Sequence, residues 1–203
     1  KLSLVDPADR LWFLGKTIHI LKEELSVPLV GFSGAPFTLA SYLIEGRPSR
    51  DFSRVKLFMY KNPTGWKMLM ELLTDSTIRY LEYQIECGVD AIQVFDSWAG
   101  CLSPEDYRTY VFPYSKKIFG RLARKGLPLI HFGTNTAGFL KLFASVACDV
   151  VGVDWRVNII DAWKEIGFRK AIQGNLDPAL LLGDFSSLRR RAKILLDSVG
   201  EKR

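Results

Sequence analysis

Five short runs of apolar residues punctuate the chain, and each gives way to small, polar or aromatic residues. They read VPLVGFSGAP from Val27, DAIQVFDSWAG from Asp90, LPLIHFGTNT from Leu127, DVVGVDWRV from Asp149 and KAIQGNLDP from Lys170. Apolar runs of this length without polar alternation predict strands of a parallel sheet covered on both faces. Between them, apolar positions recur at helical spacing. Asp6 and Pro7 open one such stretch, with Leu11, Leu14, Ile18, Leu21 and Leu25 along a stripe. Asn62 and Pro63 open another, with Trp66, Leu69, Leu73, Tyr80, Leu81 and Ile85 on one face. Ser103, Pro104, Glu105 and Asp106 are residue types favoured at an N-cap, at the first helical position and at the positive helix end. Lys116, Lys117, Arg121, Arg124 and Lys125 follow toward the other end, and Ser187 to Val199 reads as a last amphipathic helix.

Strand, polar loop and helix in repetition predict an α/β fold. Two architectures fit. An open, doubly wound sheet suits five strands. A (β/α)8 TIM barrel needs eight strands and about 250 residues, so five strands would make an incomplete barrel. Both place their chemistry at the C-terminal ends of strands, and the residues after each apolar run are the ones to weigh.

Length and composition narrow the classes. The 203 residues, 48% of them hydrophobic and 25% charged, suit one domain with one core, spanning residues 1–203. No apolar run approaches the ~18 residues of a membrane span, and Lys1 to Arg10 is too polar for a secretion signal. Cys87, Cys101 and Cys148 are dispersed and odd in number, which points to a reducing compartment. Two histidines are too few for a His-rich metal site. The net charge of +6 suits a polyanionic partner, or solubility alone.

Phosphate-cradling glycine loops, nucleophile elbows, HExxH, zinc-finger and RNA-recognition signatures are all absent. The five strand ends instead carry Phe32, Ser33, Tyr42, Asp96, Ser97, Trp98, His131, Thr134, Asn135, Asp154, Trp155, Arg156, Asn175 and Asp177. Such a lining, rich in hydroxyls and aromatics, suits a large flat ligand with polar edges. Each residue also has a plainer reading. Tyr42 can be a half-buried helix tyrosine, Ser97 a loop or capping serine, Asp96 a brace for a neighbouring loop, and His131 a donor to a loop carbonyl. Gly31 and Gly34 offer a permissive exit from the first strand, and GNLDP shapes a rigid loop at the rim. Arg189, Arg190 and Arg191 read as a solvated helix face. Arg47, Arg50, Arg54 and Lys56 can add positive potential near a carboxylate-rich ligand.

GFSGAPFTLASYLIEG, from Gly31, resembles the signature of uroporphyrinogen decarboxylases, in which G-F-S/A-G-x-P-F/W-T leads on to Y-x-x-E-G. QVFDSWAG resembles that family's F-D/E-S/T-W/H-x-G, and VGVDW and QGNLDP resemble two further blocks in the same order. The resemblance covers Val27 to Pro178. It implies a TIM barrel, generally homodimeric, that removes four acetate carboxyls from uroporphyrinogen without metal or organic cofactor. It also implies substrate contacts at Tyr42, Ser97 and Phe32. A cytoplasmic location is expected, or a plastid stroma if the source is a plant or alga. Neither a membrane nor a nucleic acid is an expected partner.

The family's catalytic aspartate, its R-Q-A-G-R motif and its late G-H-G histidine do not occur in this sequence, so the expectation is an interior segment, inactive alone. Two alternatives stay open. Corrinoid- or coenzyme M-type methyltransferases share the barrel but carry H-x-C for zinc where this chain reads HFG, His131 to Gly133. A non-catalytic tetrapyrrole binder is the other.

Overall fold

The computed structural model describes residues 2–47 and 49–200. Each apolar run contains one strand: β1 (Val30–Gly34), β2 (Ala91–Asp96), β3 (Leu129–Gly133), β4 (Val150–Gly152) and β5 (Ala171–Gln173). All neighbours pair in parallel, and their order in the sheet is their order in the chain. That order decides between the two architectures. A doubly wound sheet reverses direction at a switch point. Stepwise addition with helical crossovers is the winding of a TIM barrel, and this chain forms a five-stranded arc of one.

The helices are α1 (Pro7–Arg10), α2 (Trp12–Glu24), α3 (Pro36–Glu45), α4 (Ser53–Lys61), α5 (Pro63–Glu86), α6 (Pro104–Tyr110), α7 (Phe112–Leu122), α8 (Leu140–Phe143), α9 (Ile159–Glu165) and α10 (Phe185–Val199). Asn62 caps α5 by accepting from the Gly65 amide, and Ser103 caps α6 by accepting from that of Asp106. The stretch opened by Ser103 is two helices rather than one, with Val111 at φ −127° and ψ −50° separating α6 from α7, and so is the stretch opened by Asp6. Asp6 does cap α1, but Leu11 leaves helical geometry at φ −123° and ψ 28°, and α2 starts after it. Leu25, expected on the buried stripe, is exposed. None of these helices is long and apolar enough to cross a membrane.

Register sorts the strand residues into two faces. Ser33, Val94, His131 and Val151 share a row that is buried under the helices. Phe32, Gln93, Ile130 and Val150 share the next row, on the inner side of the arc, where Phe32 is 59% exposed. The expectation of two covered faces therefore holds for the helix side only, because five strands curve without closing over the inner side. The core lies between sheet and helices. Its centre is α5, which buries Trp66, Met70, Leu73 and Leu81.

Two side-chain devices hold the strands in place. Asp90 and Asp149 stand just before β2 and β4, and each accepts a hydrogen bond from the amide entering the preceding strand, at Leu29 and Leu129. Lys22 adds a 2.6 Å ion pair to Asp90, and these two partners hold the Asp90 carboxyl below its ordinary range. On β1, the side chain of Gln84 accepts from the Phe32 amide and donates to the Phe32 carbonyl, both at 3.0 Å. Neither Gly34 nor Gly31 is among the residues at positive φ, so the permissive-exit reading fails for both, and the glutamine contact accounts for Gly31 instead. A Cβ there would lie 2.7 Å from the Gln84 Oε1, so Gly31 serves close approach rather than a permissive turn.

Gln84→Leu leaves the amide and carbonyl of Phe32 unpaired and should cost about 2–4 kcal/mol. Urea unfolding monitored by circular dichroism would register this as a lowered midpoint; a midpoint within error of the parent would mean that the double contact is incidental.

Candidate active site

The loops leaving β1 to β5 are joined in series by short polar side chains. Thr38, in the first turn of α3, donates to Asp96 at 3.5 Å and accepts from the Trp98 amide at 3.4 Å. Thr134 donates to the Ser97 carbonyl at 2.5 Å, and Asn135 donates to that of Gly100 at 3.0 Å. The Asn135 amide donates to Asp154 at 2.9 Å, and Asp154 also pairs with Arg156. Asn175 closes the series by donating to the carbonyls of Asp154 and Val157 at 2.8 and 2.7 Å. Most polar residues of the strand-end set are thus fastenings between neighbouring loops. Asp177 is not one of them: it accepts from the Ala179 amide and caps a 3-10 turn within its own loop.

The close approach of the β2 and β3 loops accounts for the glycine in DSWAG. A Cβ on Gly100 would sit 2.1 Å from the Thr134 carbonyl oxygen. Only a residue without one lets these backbones meet.

Two chemistry-bearing residues face away from the cleft. Asp96 and His131 are fully buried on the helix side. The His131 ring stacks on Phe143 with centroids 3.7 Å apart and directs Nδ1 at the Phe143 carbonyl, 3.2 Å away. A carbonyl only accepts, so Nδ1 carries the hydrogen. The histidine expected to serve a loop carbonyl serves instead the carbonyl of the last residue of α8, from a position turned away from the cleft. Tyr107 lies in the same layer, and burial together with the Asp96 carboxylate pushes its phenol well above the ordinary value.

The three expected substrate contacts come from different places: Tyr42 from α3, Phe32 from within β1 and Ser97 from the loop after β2, and of them Tyr42 alone lines the cleft beside α3. Tyr42 is on α3, 59% exposed, with its ring edge-on to Trp98 at 6.2 Å. Phe32 begins an edge-to-face row that passes through Phe95 at 5.8 Å to Phe132 at a further 5.5 Å. Ser97 is half-buried, and its hydroxyl has no hydrogen-bond partner among the described residues. A cleft of about 490 Å³ opens beside Tyr42, lined also by Phe52, Trp98, Ser41, Ser49, Glu45 and Arg47.

Sequence reasoning missed Glu45 and Thr38, although both stand inside the quoted signature. Glu45 is 5% exposed and accepts from the amides of Arg54 and Val55, each at 3.0 Å. These are first-turn donors of α4, whose own N-cap, Phe52, supplies no side-chain acceptor and sits at φ 52°. The glutamate of Y-x-x-E-G is therefore a cap lent from one helix to the next. The four cations after it are unlike one another. Arg54 donates to the Glu45 carbonyl at 2.8 Å and Lys56 to the Cys101 carbonyl at 2.7 Å, while Arg47 and Arg50 are exposed.

A stepwise parallel arc of five strands with helical crossovers defines the class: a TIM-barrel protein, with a cleft beside α3 and the loop after β2. The chain belongs to the uroporphyrinogen decarboxylase family, whose model matches residues 1–203. Uroporphyrinogen decarboxylase of Carboxydothermus hydrogenoformans is 45% identical over 204 residues, covering 100% of this chain and 58% of that protein. Those of Oceanobacillus iheyensis and Bacillus subtilis are 47% and 46% identical, each over 97% of this chain and 57% and 56% of theirs. The chain thus spans less than three fifths of the length of these relatives. Among solved structures, a methyltransferase from Methanosarcina mazei superposes with a TM-score of 0.80 at 21% identity, over 93% of this chain and 56% of that one.

Two outcomes test the loop framework. Glu45→Ala removes the borrowed cap and should cost about 1–2 kcal/mol, read as a lowered urea midpoint. An unchanged midpoint would reject the capping role. Burial pushes the Cys101 thiol from 9.0 up to about 11. The unfolded chain then loses this proton before the folded chain does, so Cys101 lowers stability as pH rises from 9 toward about 11. Cys101→Ser should flatten that part of the stability–pH curve; an unchanged slope would contradict the assignment.

Proposed function

We propose that the chain supplies the central wall of a uroporphyrinogen decarboxylase, converting uroporphyrinogen to coproporphyrinogen by removal of four acetate carboxyls. The observation that carries this reading is the aromatic cleft beside Tyr42, at the rim of strand-end loops fastened by Thr38, Thr134, Asn135, Asp154 and Asn175; Ser97 and Phe32 lie outside its lining. Family membership supports it. The methyltransferase alternative loses ground because His131 is turned into the helix layer and stacked on Phe143.

The chemistry needs no electron sink beyond the substrate. Protonating a pyrrole carbon draws electrons toward the ring. The carbon–carbon bond to the acetate carboxyl then breaks, CO2 leaves, and the electron pair flows into the ring to give a neutral exocyclic methylene. A proton added at that methylene carbon and loss of the proton from the ring carbon then give the methyl group and restore the pyrrole. The enzyme must orient each arm and stabilise positive charge on the ring. In this reading the hydroxyls of Tyr42 and Ser97 donate to carboxylate arms, and Phe32 offers an aromatic edge to the macrocycle. Neither hydroxyl supplies the anion that balances the pyrrole charge. That group comes from elsewhere in the whole enzyme, which we take to be a single-domain, cytoplasmic homodimer. The three free cysteines suit such a reducing setting.

The test is made on a full-length enzyme carrying this segment. Wild type should yield coproporphyrinogen, and Tyr42→Phe should lower turnover roughly tenfold with the circular dichroism spectrum preserved. Ser97→Ala should lower it about threefold, as befits a single neutral donor. Unchanged kinetics through all four decarboxylations would remove the residue concerned from the site. Tight porphyrinogen binding without product would favour a binding protein instead.

A further inference from the structure

The cleft beside Tyr42 contains one cation that the rest of the structure does not engage. Arg54 and Lys56 are occupied by backbone carbonyls. Arg47 lines the cleft and has no ion-pair partner among the described residues. The one carboxylate in the lining, Glu45, is held by two amides of α4. Glu45 and Arg47 are the charged residues of the lining, so its formal charges cancel, but the carboxylate is committed to α4 while the guanidinium is not. The remaining surface is largely aromatic, with Trp98 tilted over Phe52 at 5.1 Å and Tyr42 edge-on to Trp98.

We propose that Arg47 is a carboxylate-binding residue of this cleft, pairing with a peripheral carboxylate of a polycarboxylate tetrapyrrole whose apolar body rests against Trp98 and the exposed ring of Tyr42. This inference rests on the proposed function and narrows it, by naming the residue that selects for an anionic arm next to Tyr42. A guanidinium presents a planar fork that matches both oxygens of a carboxylate. The aromatic wall does two things for that pair. It excludes part of the water that would screen it, and it gives the ring system an apolar surface, so that charge and shape are read together. Tyr42 offers a hydroxyl in the same cleft and can complete the coordination of the arm.

The experiment uses a full-length enzyme carrying this segment and uroporphyrin, the oxidised octacarboxylate, as probe. Binding is followed by quenching of tryptophan fluorescence, with turnover of uroporphyrinogen measured on the same preparations. Arg47→Ala should weaken uroporphyrin binding about fivefold at low salt. Arg47→Lys should weaken it less, because it keeps the charge and loses the fork. The gap between wild type and Arg47→Ala should narrow as salt rises. Equal affinity of wild type and Arg47→Ala overturns the subsite whatever the turnover assay shows, and so does an absence of uroporphyrin binding to wild type. Binding that depends on Arg47 in an enzyme that forms no coproporphyrinogen overturns the decarboxylase reading and leaves the subsite standing.

Discussion

Strand-end loops of a parallel barrel have no ladder to hold them, and here hydrogen bonds from threonine, asparagine and aspartate side chains take its place. Thr38 ties α3 to the β2 loop, Thr134 and Asn135 tie β2 to β3, Asp154 ties β3 to β4, and Asn175 ties β4 to β5. The bonds that reach buried backbone groups carry two duties. They satisfy polar atoms that would otherwise lose water without compensation, and they fix the distance between consecutive loops. Everything displayed at the rim, from Tyr42 to Trp155, inherits its position from this series.

Helix α4 shows how the series extends outward. It has a weak start of its own, since Phe52 in the left-handed region offers no side-chain acceptor. The carboxylate of Glu45 compensates from the end of α3, and the Lys56 ammonium carries α4 on to the β2 loop. Tyr42, Trp98 and Phe52 come from three separate segments, and they meet in one cleft because these contacts set the segments against one another.

Much of this was readable from residue order. All five strands fall in the five apolar runs, and the caps at Asn62 and Ser103 are as their residue types suggest. Continuous apolar character did not separate an inner face from a helix-covered one, because Phe32 and Ile130 are as apolar as Val94 and Val151. Register alone makes that distinction. Asp96 and His131 looked like chemistry because of what they are, and their burial on the helix side follows from an alternation that apolar runs conceal. Helices α4, α8 and α9 went unseen; they are short, and α4 takes its cap from a residue eight positions before its first turn begins. The break at Leu11 likewise has no turn residue to announce it.

The contact between Gln84 and Phe32 has a meaning for the register between α5 and β1. A glutamine amide has the same donor and acceptor as a peptide group, and here it presents both to one residue of β1 as a neighbouring strand would. It is a surrogate for one rung of a ladder, delivered from a helix. With the rung at Phe32 filled from α5, helix and strand are locked at one register, and β1 cannot slide along α5 without breaking both bonds at once.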